Sequence, residues 1–133
     1  MRALFTILFA VTVCSVPLCA DWSTTPSSGT VIDTDIYGLT IVNDGKGGYF
    51  LCWYADDDLT GDDDVYLQRY DKNGNPVWPS VLTVCGLAGY QDCCKMISDT
   101  KGGVIISWRD RRSGNFHGYA QRVSADGVPR WTA

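Results

Sequence analysis

The chain matches itself. Residues Asn43-Asp44-Gly45-Lys46-Gly47-Gly48 return as Ser98-Asp99-Thr100-Lys101-Gly102-Gly103, and Trp53 returns as Trp108, all at an offset of 55. Tyr66-x-Gln68-Arg69 returns as Tyr119-x-Gln121-Arg122 at an offset of 53, together with Gly74 as Gly127 and Trp78 as Trp131. Trp22 stands where a preceding copy would have ended. The change of offset falls between Trp53 and Tyr66, so the copies differ by one loop. Units repeated at this period bury their cores against neighbouring units, which restricts the chain to stacked or ring-like architectures.

Each copy carries short strand patterns separated by turns. In the first, Leu39–Asn43 leads through Asp44-Gly45-Lys46-Gly47 to the nearly all-apolar Tyr49–Ala55, as for a strand covered on both faces. Val65–Tyr70 alternates, with Val65, Leu67 and Arg69 on one face and Tyr66, Gln68 and Tyr70 on the other. After the turn at Asp71-Lys72-Asn73-Gly74, Val77–Val84 predicts a last strand, and Pro79 places it at an edge because proline donates nothing to a ladder. The second copy predicts Lys95–Ile97, Val104–Trp108, Tyr119–Val123 and Val128–Trp131. Composition agrees: all 15 acids are Asp with no Glu, and there are 14 Gly, which suits turns far better than helix surfaces.

Asp-x-x-Gly-Gly, Trp108-x-Asp110-x-Arg112-x-Gly114, Tyr119-Ala120-Gln121-Arg122-Val123 and the closing Gly and Trp resemble the blade repeat of bacterial extracellular β-propeller repeat proteins. The resemblance covers residues 22–131, and Asp21-Trp22-Ser23-Thr24 is similar to the start of such proteins. It implies propeller blades of four strands, and it implies little about function. The first copy departs from the pattern, with Ala55 and Asp57 in place of the Asp and Arg, and His117 stands where the pattern has Asp. The contact made by that Asp and Arg is therefore expected in the second copy alone.

Residues 1–20 have the layout of a secretory signal: Arg2, an apolar run from Ala3 to Val13, Pro17, and Ala20 before Asp21. The run is too short to span a bilayer. Lipid attachment at Cys19 is the alternative, although Leu18 precedes it instead of a small residue. Export leaves Cys52, Cys85, Cys93 and Cys94 as disulfide candidates in an oxidising compartment. Adjacent Cys93 and Cys94 would form a strained ring. Cys85 and the Cys93-Cys94 pair flank one short turn, so a bridge from Cys85 to one of them is the favoured expectation.

The acidic run Asp56-Asp57-Asp58-Leu59-Thr60-Gly61-Asp62-Asp63-Asp64 holds six carboxylates in nine residues, and a hard cation such as Ca²⁺ would relieve their repulsion. A solvated hairpin loop explains the same run, and its order matches no dedicated Ca²⁺ loop. Asp71-Lys72-Asn73-Gly74-Asn75 reads better as a turn than as a metal loop, because Ser124-Ala125-Asp126-Gly127 takes its place in the second copy. The repeated Trp53, Trp78, Trp108 and Trp131 read as core. Tyr54, Tyr90 and Phe116 do not repeat and are the candidate ligand-facing rings. His117 is the single histidine, and no nucleophile–base order accompanies it.

The expected fold is all-β: two tandem four-stranded antiparallel propeller-blade-like repeats, with 1–20 the signal, 21–78 the first repeat and 79–133 the second. The expected function is a non-enzymatic, secreted or cell-surface interaction, adhesion or scaffold module. A Ca²⁺-dependent carbohydrate-binding module, or a piece of a larger extracellular propeller, is the alternative. The expected partner is an extracellular protein or a glycan; a net charge of −4 argues against nucleic acid. No cofactor is expected beyond Ca²⁺ on the acidic run. With only two units, self-association or further blades should cover apolar residues left exposed around Tyr49–Tyr54 and Val104–Trp108.

Overall fold

The computed structural model describes Asp33, residues 35–56 and residues 60–132. The signal segment and Trp22 lie outside them. Seven strands and no helix occur among the described residues: β1 (Ile36–Asn43), β2 (Tyr49–Asp56), β3 (Asp63–Tyr70), β4 (Leu82–Cys85), β5 (Gln91–Ser98), β6 (Val104–Asp110) and β7 (His117–Val123). They form two antiparallel sheets, β1-β2-β3-β4 and β5-β6-β7. No helix among the described residues is long and apolar enough to cross a membrane.

The repeated residues build the hairpins. Asp44 Oδ1 accepts the amides of Lys46 at 2.7 Å and Gly48 at 2.8 Å, and its Oδ2 accepts Arg69 Nη2 at 2.7 Å. Asp99 repeats this with Lys101, Gly103 and Arg122 Nε at 2.7, 2.8 and 2.7 Å. One carboxylate therefore closes the first turn of each sheet and ties it to the third strand. The second glycine of each pair is required sterically, since a Cβ on Gly48 or Gly103 would lie 2.3 Å from the carbonyl of Tyr70 or Val123. Gln68 and Gln121 hold the return of the chain, donating to the carbonyls of Trp78 at 3.3 Å and Trp131 at 3.0 Å. Across the central ladders Trp53 stacks on Tyr66 and Trp108 on Tyr119, both with centroids 6.2 Å apart.

The sheets pack head to tail. The common core takes Phe50, Cys52, Val65 and Leu67 from the first sheet. From the second it takes Cys94, Met96, Val104, Ile106, Trp108 and Val123. Because side chains alternate along a strand, Trp53 and Trp108 fall on the same face of their own repeats, yet Trp108 points into the joint core and Trp53 into a separate cluster with Leu51, Ala55 and Tyr70. One face of the first sheet thus meets the opposite face of the second. Trp78 crosses the junction, donating its Nε1–H to the carbonyl of Ala125 at 3.1 Å.

Three expectations are corrected. The second sheet has three strands: Val128–Trp131 corresponds to the stretch leading up to Trp78, where each copy makes only an isolated bridge, Tyr70 to Pro76 and Val123 to Pro129. The fourth strand, β4, begins only at Leu82 and lies at a sheet edge, with Pro79 ahead of it. It is hydrogen-bonded to β3 and so completes the first sheet. Finally, β2 and β6 are central strands, and Phe50, Leu51, Trp53, Val104, Ile106 and Trp108 on them are buried. The exposed apolar residues include Tyr37, Leu39 and Ile41 on β1 and Ile97 on β5, strands at sheet edges.

Candidate functional site

The ends of β2 and β3, with the segments entering β1, β4 and β5, surround a cleft of about 810 Å³. Four carboxylates line it, from Asp33, Asp35, Asp56 and Asp63, with the rings of Tyr37, Tyr66 and Tyr90 and the side chains of Ala55 and Val81. No Lys or Arg belongs to this described lining. Asp56 and Asp63 face each other across the β2–β3 ladder, a placement in which like charges repel. Burial pushes the Asp63 carboxyl up from its ordinary range, and the charges of Asp92, Asp56 and Asp62 push the same way. Tyr37 is held over the rim by stacking on Tyr54, with centroids 5.9 Å apart.

The acidic run does not act as one cluster. Asp56 and Asp63 line the cleft, whereas Asp62 Oδ2 accepts the Gly89 amide at 2.9 Å and Asp64 is buried beside Gly86. Asp57 and Asp58 lie outside the described residues. Among the described residues no group of three or more potential metal ligands is gathered. Asp71 forms the turn expected of it, its Oδ1 accepting the amides of Asn73 at 2.8 Å and Asn75 at 2.9 Å.

Of the candidate rings, Tyr90 reaches the cleft. Tyr54 packs against the core under Tyr37. Phe116 lies in the β6–β7 loop, where the guanidinium groups of Arg109 and Arg111 sit 4.6 and 5.7 Å from its centroid. Reasoning from the sequence missed Asp33, Asp35, Tyr37 and Tyr66. No period-two pattern could have marked them, since Asp35 is left-handed, with φ of 54°, and precedes the start of β1.

The Trp-x-Asp-x-Arg motif of the second copy is structural. In the second copy Asp110 accepts Trp108 Nε1–H at 3.2 Å and the Arg112 amide at 2.9 Å, and pairs with the Arg112 guanidinium. Arg112 in turn lies 4.1 Å over Tyr119. Burial alone would raise the Asp110 carboxyl, but these donors outweigh it and hold the group at about 2. The first copy lacks the contact: Ala55 replaces the acceptor, and the buried Trp53 Nε1–H has no hydrogen-bond partner among the described residues.

Among the described cysteines all four are free thiols. The Cys85 Sγ lies 3.5 Å from Asp110 Oδ2 and 3.2 Å from Arg112 Nη2. Burial pushes its thiol up to about 11. Cys93 is exposed, and Cys94 lies against Cys52. The bridge expected from Cys85 to Cys93 or Cys94 is therefore not formed here, because the thiol of Cys85 is turned to the Asp110–Arg112 pair.

A scan against protein-family models and searches of curated proteins and of solved structures found no match.

Proposed function

We propose that this chain is a secreted, non-enzymatic interaction module whose acidic, tyrosine-lined cleft takes a lysine- or arginine-bearing segment of an extracellular protein. The observation that carries this reading is the joining of Asp56 and Asp63 with Tyr37, Tyr66 and Tyr90 around one cleft. A cationic side chain would offset both the burial and the neighbouring carboxylates that raise the Asp63 carboxyl, and its charge would be attracted to the faces of the tyrosine rings. Ca²⁺ is less suited, since the described carboxylates are not gathered as a ligand set. Sugar stacking on the tyrosines is the remaining reading for the same cleft.

The test is a titration of the chain with an arginine- and lysine-rich peptide, a composition-matched neutral peptide and a panel of oligosaccharides, with and without Ca²⁺. Binding of the basic peptide alone, weakened by salt and by Asp56→Asn with Asp63→Asn, supports the proposal. Metal-dependent binding of a sugar would replace it with the lectin reading.

The head-to-tail packing favours a second role as a stacking unit. Heterologous contacts of this kind leave each end with an unmatched face. On the second sheet the face equivalent to Phe50, Cys52 and Tyr54 carries Ile105, Ser107 and Arg109, and Ser107 and Arg109 are exposed. A further blade of the same repeat would fit there, in line with the blade resemblance.

A further inference from the structure

We propose that Cys52 and Cys94 are joined in the exported chain by a disulfide that ties the first sheet to the second. Cys52 on β2 and Cys94 on β5 are both fully buried, in the core shared by the two sheets. Each side chain is the main influence on the other's thiol, which places the two sulfurs as neighbours in that core. The backbone brackets the pair: Thr40, which faces Cys52 across the β1–β2 ladder, donates its hydroxyl to the Cys94 carbonyl at 3.4 Å. The Cys94 Sγ lies 3.6 Å from the carbonyl of Gly38 on the same strand as Thr40. The other two thiols are placed elsewhere, Cys85 on the Asp110–Arg112 pair and Cys93 in solvent.

The thiolate of one of the two cysteines attacks a disulfide-bonded oxidant, oxidised glutathione or an oxidised protein dithiol, forming a mixed disulfide and releasing one thiolate. The other cysteine loses its proton and attacks the protein sulfur of that mixed disulfide, forming the internal bond and releasing the second thiolate. Two protons from the cysteines end on the two released thiols, and the cysteine pair gives up two electrons to the oxidant. Both sulfurs are sealed once the sheets have docked, so the exchange belongs to folding. The export reading enters only as the source of the oxidant.

The test is to refold the full chain in mixed oxidised and reduced glutathione, alkylate remaining thiols, and map peptides without reduction. A cross-link between the Cys52 and Cys94 peptides, two hydrogens lighter than their sum, is expected, and adding reductant should lower the unfolding midpoint. A Cys85→Ser, Cys93→Ser variant should give the same cross-link. Alkylation of both Cys52 and Cys94 in refolded wild-type chain, or linkage of Cys94 to Cys85 or Cys93, would overturn the proposal.

Discussion

Gly38 and Cys93 occupy the same position of the same bulge, one in each sheet. The ladder shifts register between Tyr37 and Thr40 opposite β2 and between Asp92 and Lys95 opposite β6, with Trp53 and Trp108 at the two breaks. Both residues are left-handed, with φ of 60° at Gly38 and 54° at Cys93. Glycine takes that conformation freely, whereas a side chain costs about 1–2 kcal/mol. In the first sheet glycine is also demanded by space, since a Cβ at Gly38 would lie 2.3 Å from the Tyr54 ring.

Cys93→Gly should therefore stabilise the chain. Relief of the left-handed strain is offset by the extra freedom glycine has when unfolded, about 0.5–1 kcal/mol, leaving a gain of roughly 0.5–1 kcal/mol. A urea titration measures it. A loss of stability would mean that the Cys93 side chain makes a contact worth more than the strain.

The glycines of the turns should separate sharply. Gly48→Ala or Gly103→Ala drives a Cβ to 2.3 Å from a carbonyl oxygen, and about 2–3 kcal/mol of destabilisation is expected. Gly102→Ala meets no atom within 4 Å and pays only for its φ of 85°, about 1 kcal/mol. Equal losses at Gly102 and Gly103 would contradict the steric account.

This hairpin chemistry was legible in the sequence because Asp44, Gly48 and Arg69 recur as Asp99, Gly103 and Arg122. The strands at the centre of each sheet were legible for the same reason. The bulge was not, because glycine in one copy and cysteine in the other share no chemical signature. The missing fourth strand of the second sheet was hidden by Val128–Trp131, whose apolar residues imitate a strand that β4 forms only beyond Trp78. The cleft was half legible: the acidic run marked Asp56 and Asp63, but Tyr37 and Tyr66 reach it through strand pairing, which no local pattern encodes.

Acid should unfold the chain by way of its buried aspartates. Burial would raise Asp44, Asp99 and Asp110, but hydrogen bonds from backbone amides and arginines hold all three below the ordinary 3.8. A group depressed on folding binds fewer protons in the native state, so its stabilisation is complete above the unfolded value and disappears as pH falls through the folded one. For Asp110, held at about 2, the window runs from 3.8 downward, and the contribution is about 2 kcal/mol. Asp63 has the opposite sign: its raised carboxyl weakens the fold once ionised, so Asp63→Asn should stabilise the chain at neutral pH. Urea midpoints across this acid range, for wild type and Asp63→Asn, check both signs.

Removing the Asp110 carboxylate should be costly in the second copy. Asp110→Ala strips acceptors from the Trp108 indole and the Arg112 guanidinium in a fully buried position. A loss of about 2 kcal/mol is expected, because the Trp108 indole N–H is left without its buried acceptor, while Arg112 still reaches solvent. A change below about 1 kcal/mol would place the pair among surface salt bridges.

If the cleft between β1, β2 and β3 grips a cationic segment, chemical-shift mapping will locate the contact. On titrating an arginine- and lysine-rich peptide into isotope-labelled chain, shifts are expected to concentrate at Tyr37, Asp56, Asp63, Tyr66 and Tyr90 and to collapse with added salt. Shifts confined to the second sheet around Ile105 and Arg109, or none at all at low salt, would contradict it.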